Sequence, residues 1–162
     1  MSYAAVNTML DGAYPKGALN YWKSGFLTQL SDAAIDAMVN AFAKCPAPMG
    51  QMLLEHFHGA ATRVAPTATA FPHRSDGYNL LVASEWIDPT HNAACIGWAR
   101  ETYAVMAPFM APGRYVNYLA DDDAGDPTGG AYGPNLQRLQ AVKARYDPTN
   151  FFRINQNIKP LA

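Results

Sequence analysis

The chain has 162 residues, which is long enough for one domain with a hydrophobic core. Apolar residues make up 49% of it, charged residues make up 15%, and the net charge is -1 without any run of lysine or arginine. This balance argues against nucleic acid and against an anionic membrane surface as partners. No segment reaches the ~20 apolar residues of a membrane span, and the first residues do not resemble a secretory leader. We therefore expect a cytoplasmic protein with a single domain over residues 1–162.

The first elements alternate between strand and helix patterns. The aromatic-rich residues 19–27 predict a strand. Ser31 is suited to cap a helix that ends before the prolines of 45–48. Its apolar residues recur at helical spacing: Ile35, Met38, Val39 and Phe42. The short apolar segment 50–57 then predicts a second strand.

A long connection over residues 58–76 separates this strand from the next. Loops of that length inside compact domains are uncommon and are often functional. Residues 77–86 predict the third strand. A second helix opens at Asp88 and is closed by the prolines and glycine of 108–113. Residues 114–119, with the sequence RYVNYL, predict a fourth strand.

The remaining residues form a loop, a helix and an extended end. Residues 121–130 are rich in Asp and Gly and predict a loop. A third helix is expected to start near Pro134. Residues 146–160, which we call the C-terminal tail, interleave apolar side chains with amides and cations. Disordered tails are usually poorer in aromatic residues, so we expect this tail to dock on something.

The order of the predicted elements favours an α+β fold of the ferredoxin-like βαββαβ type. In this fold both helices cover one face of an antiparallel sheet. The predicted strands 50–57 and 114–119 carry apolar or aromatic residues on both sides, although a strand with one wet face should alternate with polar residues. Something should therefore cover the helix-free face: the chain's own loop and tail, a second copy, or another domain.

Three segments resemble a known enzyme family. They are TAFPHRSDGYNL at 69–80, YVNYLADD at 115–122, and YGPNLQRLQAVKARYDPTNFFRINQNIKP at 132–160. Together, and in this order, they are similar to motifs of the berberine-bridge-enzyme-like FAD-linked oxidases, within the vanillyl-alcohol-oxidase superfamily. The resemblance is to the C-terminal substrate domain of that family only.

The resemblance implies an FAD-dependent oxidoreductase that transfers a hydride from an alcohol or amine carbon to flavin N5. The sequence contains no glycine-rich loop for a pyrophosphate. The expectation is therefore a substrate domain without its FAD-binding domain, inactive alone. Its partners would be a flavin-binding domain in trans or a second copy on the uncovered sheet face, with a small-molecule substrate.

The same resemblance suggests site residues. Tyr118 matches the tyrosine that takes the substrate proton, and its phenol would need a lowered pKa for this task. Asn117, Asn150 and Gln156 match flavin-side positions, where amides can offer donors and acceptors. The alternative for each amide is a bond to the tail's own backbone.

Two further positions are candidates for binding the substrate. Tyr78 belongs to the Tyr-Asn pair of the motif at 69–80. Glu55 lies in the middle of an apolar strand, where it either contacts substrate or pairs with a cation such as Lys23, Arg63 or Arg74. His56 and His58 fall on one face of that strand, but we predict no metal because the family needs none.

The rival function is a non-catalytic ferredoxin-like protein. Such a protein would use the uncovered sheet face to dimerise or to bind a small ligand. The apolar character of both strand faces motivates this reading.

Overall fold

The computed structural model describes residues 1–123, 125 and 127–161. Four strands form one antiparallel sheet in the order β2-β3-β1-β4. Their bounds are Leu19–Leu27 for β1, Gln51–Phe57 for β2, Gly77–Trp86 for β3 and Met110–Ala111 for β4. This order and the βαββαβ sequence of elements confirm the predicted ferredoxin-like α+β fold.

Five α-helices accompany the sheet in the part of the chain that the structure describes. Their bounds are Tyr3–Asn7 for α1, Asp32–Phe42 for α2, Asn92–Met106 for α3, Pro127–Tyr132 for α4 and Leu136–Tyr146 for α5. Helices α2 and α3 cover one face of the sheet. The core between them and the sheet contains Leu27, Leu80, Val82, Met38, Trp98 and Met106. None of the described helices is both long and apolar enough to cross a lipid bilayer.

The predicted start of α2 is confirmed. The Ser31 hydroxyl accepts a hydrogen bond of 3.2 Å from the amide of Ala34, which satisfies one of the free donors of the first turn. The apolar residues of this helix do not all enter the core, however. Met38 is buried, whereas Val39 remains 63% exposed. The outer side of α2 is therefore an apolar surface.

The prediction of a fourth strand over 114–119 is wrong. The fourth strand is the two-residue β4, which pairs with the end of β1. Gly113 follows with a φ of 113°, a left-handed conformation that turns the chain away from the sheet. Beyond it, Val116–Tyr118 form a single 3₁₀ turn. This turn lies over the helix-free face and brings Tyr118 to the middle of the sheet.

The chain itself covers much of the helix-free face. The four side chains that β3 presents there are at most 2% exposed: Asn79, Leu81, Ala83 and Glu85. Rings from the 58–76 connection and from the segment after β4 pack in a series over the neighbouring strands. Phe71 contacts Phe57 at 5.8 Å and Tyr115 at 5.9 Å between ring centroids. Three covers for the helix-free face were considered, and the chain's own segments account for a large part of that cover.

The predicted loop over 121–130 includes residues 124 and 126, which lie outside the described residues. The first residues of this loop contact the sheet. Asp122 and Asp123 both accept hydrogen bonds from the buried Lys23 ammonium, at 2.8 and 2.6 Å. The loop is thereby attached to β1, next to the segment that carries Tyr118.

Candidate functional site

A phenol, a carboxylate and an amide meet on the helix-free face. Tyr118 Oη donates a hydrogen bond of 2.7 Å to Glu55 Oε1, and Asn79 Nδ2 donates one of 2.7 Å to Glu55 Oε2. Asn79 is fully buried, while Glu55 and Tyr118 are half-buried. Both carboxylate oxygens of Glu55 are therefore held by the protein. Of the alternatives for Glu55, pairing with a cation is not observed.

The sheet register places Glu55 and Asn79 side by side. Glu55 of β2 lies directly opposite Asn79 of β3, so their side chains leave the sheet on the same face. The Tyr118 ring reaches the pair from the 3₁₀ turn above the sheet. It is held edge-on between Trp22 at 5.9 Å and Tyr115 at 5.0 Å. Rigid aromatic neighbours thus fix the phenol against the carboxylate.

The structure raises the pKa of the Tyr118 phenol instead of lowering it. Burial of the ring is the largest cause, and the hydrogen bond to Glu55 and its charge act in the same direction. The expectation of a lowered pKa assumed cations or donors beside the phenol, whereas the nearest polar group is a carboxylate. Tyr118 is consequently a protonated phenol that can pass its own proton to Glu55.

Two buried polar atoms beside this pair have no partner within the described residues. They are Asn79 Oδ1, an acceptor, and Trp22 Nε1, a donor. Buried polar groups normally have a partner, so an acceptor and a donor left over next to a phenol–carboxylate pair fit a polar ligand. Sequence reasoning assigned no role to Asn79, although this residue belongs to the Tyr-Asn pair of the motif at 69–80.

Tyr78 does not join the site. It directly precedes Asn79 on β3, so its side chain leaves the sheet on the opposite face. There it stacks on His56, with ring centroids 4.7 Å apart and planes 16° apart. His56 also contacts His58 at 4.3 Å. Within the part of the chain that the structure describes, no group of three or more His, Cys, Asp or Glu side chains is placed to hold a metal ion.

The three amides expected on the flavin side have different surroundings. Asn117 is exposed and donates a hydrogen bond of 2.9 Å to Tyr115 Oη. Asn150 lies in a left-handed turn after α5, with a φ of 54°, and its buried Oδ1 has no partner among the described residues. Gln156 Nε2 reaches the carbonyl of Leu119 at 3.5 Å. Gln156 thus links the C-terminal tail to the residue that follows Tyr118.

An ionic cluster anchors the segment that presents Tyr118. Lys23 is 7% exposed, and its hydrogen bonds to Asp122 and Asp123 outweigh the effect of burial and raise its pKa. Asp123 also accepts from the backbone amide of Ala120 at 2.8 Å. The chain is therefore fixed within a few residues of Tyr118. Sequence reasoning missed this role because residues 121–130 were predicted only to form a loop.

His73 and Arg74 organise the long connection, and their hydrogen bonds go to residues outside the sheet. His73 Nε2 lies 3.1 Å from the carbonyl of Ala131, and its ring packs on Phe26 of β1 at 4.5 Å. Burial lowers the pKa of His73. Arg74 donates to carbonyls of Phe71 and Ala61. These contacts keep the aromatic cover in place over the sheet.

Fold and site together define an α+β domain that holds a tyrosine–glutamate pair under an aromatic cover. Comparisons with known proteins agree on the family. Residues 114–159 match the family model described as "Berberine and berberine like". The chain is 26% identical to a tetrahydroberberine oxidase of Berberis wilsoniae, an alignment that covers 98% of this chain and 34% of that protein.

Solved structures give the same result. A berberine-bridge-enzyme-like protein, number 28 of Arabidopsis thaliana, superposes with a TM-score of 0.78 at 25% identity, over 91% of this chain and 35% of its own. The H104A variant of berberine bridge enzyme superposes with a TM-score of 0.84 over all of this chain and 39% of its own, at 21% identity, and supports the fold alone. The chain is thus a relative of the berberine-bridge-enzyme-like FAD-linked oxidases, and it spans about a third of the length of the relatives it matches.

The site residues fit the substrate side of a flavin enzyme better than the cofactor side. A phenol, a carboxylate and an amide suit a neutral or cationic organic substrate, whereas the phosphates of FAD need backbone amides of a glycine-rich loop or cations. The sequence has no such loop. Asn117, Asn150 and Gln156 could at most contact the flavin ring.

Proposed function

We propose that this chain is the substrate-side part of an FAD-dependent oxidoreductase that acts on an alcohol or amine carbon. The observation that carries the proposal is the Tyr118–Glu55–Asn79 arrangement on the helix-free face. The relatives include the tetrahydroberberine oxidase named above and an FAD-linked oxidoreductase of Dictyostelium discoideum, 26% identical over 98% of this chain. The chain supplies the groups that bind the substrate and receive its proton.

The hydrogen bonds suggest how the proton moves. A substrate hydroxyl or amine donates to Tyr118 Oη, whose own proton already points to Glu55 Oε1. When the hydride leaves the substrate carbon, the substrate proton passes to the Tyr118 oxygen and the phenolic proton passes to Glu55. Bound FAD supplies the hydride acceptor. Tyr118 gains the substrate proton as it releases its own, so it never becomes a phenolate and its raised pKa does not prevent the transfer.

Asn79 keeps Glu55 in the orientation that this transfer needs. Its amide donates to the carboxylate oxygen that Tyr118 does not use. The bond joins side chains of two neighbouring strands and is fully buried at Asn79, so the carboxylate has little freedom to rotate. Asn79 is a positioning residue in this scheme.

We further propose that a flavin-binding domain covers the C-terminal tail. Phe151, Phe152 and Ile154 are 75–84% exposed, which is unusual for large apolar side chains. The turn before them is nevertheless built: Asp147 accepts hydrogen bonds from the amides of Phe151 and Phe152, at 2.7 and 3.1 Å. A fixed pair of exposed aromatic residues is typical of a surface that is buried against a partner.

The test is a chimera in which this chain replaces the aligned third of the tetrahydroberberine oxidase. Anaerobic bleaching of its flavin is followed in a stopped-flow instrument with a panel of alcohols, sugars and amines. With any substrate that bleaches the flavin, we expect Tyr118→Phe and Glu55→Gln each to slow bleaching by about 10²–10⁴-fold, the usual loss for an acid–base group.

Tyr3→Phe is the matched control, since it removes the same hydroxyl from a tyrosine that is 84% exposed on α1. It should leave the bleaching rate unchanged. Bleaching at the parent rate in Tyr118→Phe would rule out the proposed proton path.

A further inference from the structure

A second carboxylate lies on the helix-free face. Glu85 of β3 is 2% exposed, and its Oε2 atom has no hydrogen-bond partner within the described residues. None of the ion pairs among those residues includes it. Glutamates are almost never fully buried unless they are paired. The proton path through Tyr118 makes no use of Glu85, so this buried oxygen requires an explanation of its own.

The sheet places Glu85 at the other end of the face that carries the candidate site. Asn79 and Glu85 are six positions apart in β3, which is about 20 Å along the strand, and the even spacing keeps both on one face. Trp22 of β1 lies opposite Ala83 and leaves the sheet on that same face, between the two. Three unpartnered buried atoms therefore lie along one face: Asn79 Oδ1, Trp22 Nε1 and Glu85 Oε2.

Aromatic rings lie between the two ends of this face. The Trp22 ring contacts Tyr118 at 5.9 Å and Tyr14 at 5.7 Å between centroids. The pKa of Tyr14 is raised first by burial and then by the charges of Glu85 and Glu55, so this phenol lies near both carboxylates. A carboxylate beside electron-rich rings is a favourable environment for an organic cation.

We propose that Glu85 binds a cationic group of the substrate, a protonated amine at the end remote from the carbon that is oxidised. That the bound cation belongs to a substrate rests on the proposed function. The cation supplies the partner that Glu85 Oε2 lacks, and the rings of Trp22 and Tyr14 attract it as well. Glu85 is then a residue that determines specificity for substrates with a remote positive charge.

The charge of Glu85 favours a cation over a neutral ligand. Burial raises the pKa of this carboxyl group because nothing nearby compensates its negative charge. A neutral ligand would leave that charge uncompensated, whereas an ammonium group neutralises it and donates to Oε2. The free N–H of Trp22 fits an oxygen acceptor in the middle of the same substrate.

Access to Glu85 is through the N-terminal segment that ends at Tyr14. Residues 1–12 are exposed, and α1 buries no residue. Tyr14 itself is only half-buried. A shift of Tyr14 opens the way to Glu85 and leaves the strand pairing of the sheet unchanged.

The test is a titration of the purified chain with benzylammonium chloride and, separately, with benzyl alcohol, followed by two-dimensional ¹H–¹⁵N NMR. The chain has 3 tryptophans, so the indole N–H signals are few, and Trp22→Phe identifies the one from Trp22. We expect benzylammonium to shift this signal. It should bind at least about tenfold more tightly than benzyl alcohol, because hydrogen bonds to charged groups are the stronger ones.

Glu85→Gln tests the carboxylate itself. This change keeps the shape of the side chain and removes its charge, so the two probes should then bind about equally. Glu101→Gln is the matched control, since it makes the same change at an exposed glutamate of α3 and should retain the preference for benzylammonium. The NMR spectrum of each variant shows whether it is folded, and the comparison of the two probes in the wild type does not depend on any variant.

Three results would overturn the proposal: a Trp22 signal that benzylammonium does not shift, equal binding of the two probes by the wild type, or a preference that survives Glu85→Gln. Loss of benzylammonium binding when a flavin-binding polypeptide is added would also overturn it and would assign Glu85 to that partner. The titration needs neither flavin nor turnover. Its outcome is therefore independent of the proton path through Tyr118, which the chimera tests separately.

Discussion

The hydroxyl of Tyr118 has its chemistry set by the carboxylate to which it donates. A phenol whose neighbours are an aromatic ring and a carboxylate prefers the neutral form, which is why its pKa rises. The same carboxylate can accept the phenolic proton. The residue is suited to relay a proton and poorly suited to exist as phenolate.

This assignment can be measured directly by spectrophotometric titration of the tyrosines. Tyr118 should ionise well above the ordinary phenol value of 10.0, and Glu55→Gln should bring its pKa back toward that value. Because the pKa is raised in the folded state, its contribution to stability is present below pH 10 and is lost as the pH rises further. A Tyr118 that ionises at its ordinary pH in the wild type would contradict the contact.

Tyr118 and Glu55 could be proposed as site residues from the sequence. Their hydrogen bond to each other could not be predicted. The two are 63 positions apart, and only the register of β2 with the rest of the sheet and the 3₁₀ turn bring them within 2.7 Å. Tyr78 shows the reverse case. It belongs to a recognisable motif, yet strand alternation sends it to the opposite face from its neighbour Asn79.

At the level of elements, α2 illustrates what local signals determine. Ser31 predicted its start and the prolines of 45–48 its end, because capping and chain breaking by proline are local properties. Which apolar residues are buried is a tertiary property, and the helix leaves Val39 exposed. The prediction of the fourth strand was wrong for a related reason. Residues 114–119 have a strand-like composition, but the turn at Gly113 leads them away from any strand with which they could pair.

The cap makes a quantitative prediction. Ser31→Ala should lower the free energy of unfolding by about 1 kcal/mol, the usual value of a lost N-cap, as measured by urea denaturation. Ser2→Ala is the matched control, since Ser2 caps α1 with the same 3.2 Å bond but α1 buries no residue. That change should have no measurable effect. No loss in Ser31→Ala would contradict the prediction and would mean that this cap does not stabilise the cooperative fold.

The attachment of the 119–123 segment gives a second stability prediction. Lys23→Met leaves Asp122 and Asp123 without their buried partner and should lower the free energy of unfolding by roughly 1–3 kcal/mol, reduced from the fully buried case because Asp122 is partly exposed. Arg100→Met removes an exposed cation from the same Asp122 and should lower the free energy of unfolding by less than Lys23→Met does.

The pH dependence of this cluster follows from the lowered pKa of Asp122, which is caused mainly by its hydrogen bonds from Lys23 and Tyr21. A lowered carboxyl pKa contributes stability above its ordinary value of 3.8, and this stability is lost as the pH falls below it. Urea denaturation of the wild type from pH 5 downward should show the loss. A profile with the same slope in Lys23→Met would contradict the assignment to this cluster.

At the scale of the whole molecule, the topology was predictable and the covering of the sheet was not. The βαββαβ order comes from the succession of patterns, and the antiparallel connections leave few alternatives. The sequence indicated that the helix-free face needs a cover but did not distinguish among three possible covers. In the structure, a series of aromatic rings packs over Phe57 and Phe26. Long-range packing of this kind leaves no periodic trace in the sequence.

The C-terminal tail belongs to the same scale. Its start is fixed by Asp147 while its aromatic residues point outward, so it is organised before any partner binds. We expect Phe151→Ser together with Phe152→Ser to leave the thermal midpoint of the isolated chain nearly unchanged. The same double change should abolish binding to a flavin-binding polypeptide in a pull-down. A strongly lowered midpoint would mean that the pair packs within the chain instead.

The central claim is that this chain supplies substrate-side groups while the phosphates of FAD are bound elsewhere. The most direct measurement is the visible absorption spectrum of the purified chain after FAD has been added and the excess removed by gel filtration. The account predicts a colourless protein, because the chain has no glycine-rich phosphate loop. A retained flavin spectrum at one FAD per chain would contradict it, since the cofactor would then be held by the sheet and the C-terminal tail alone.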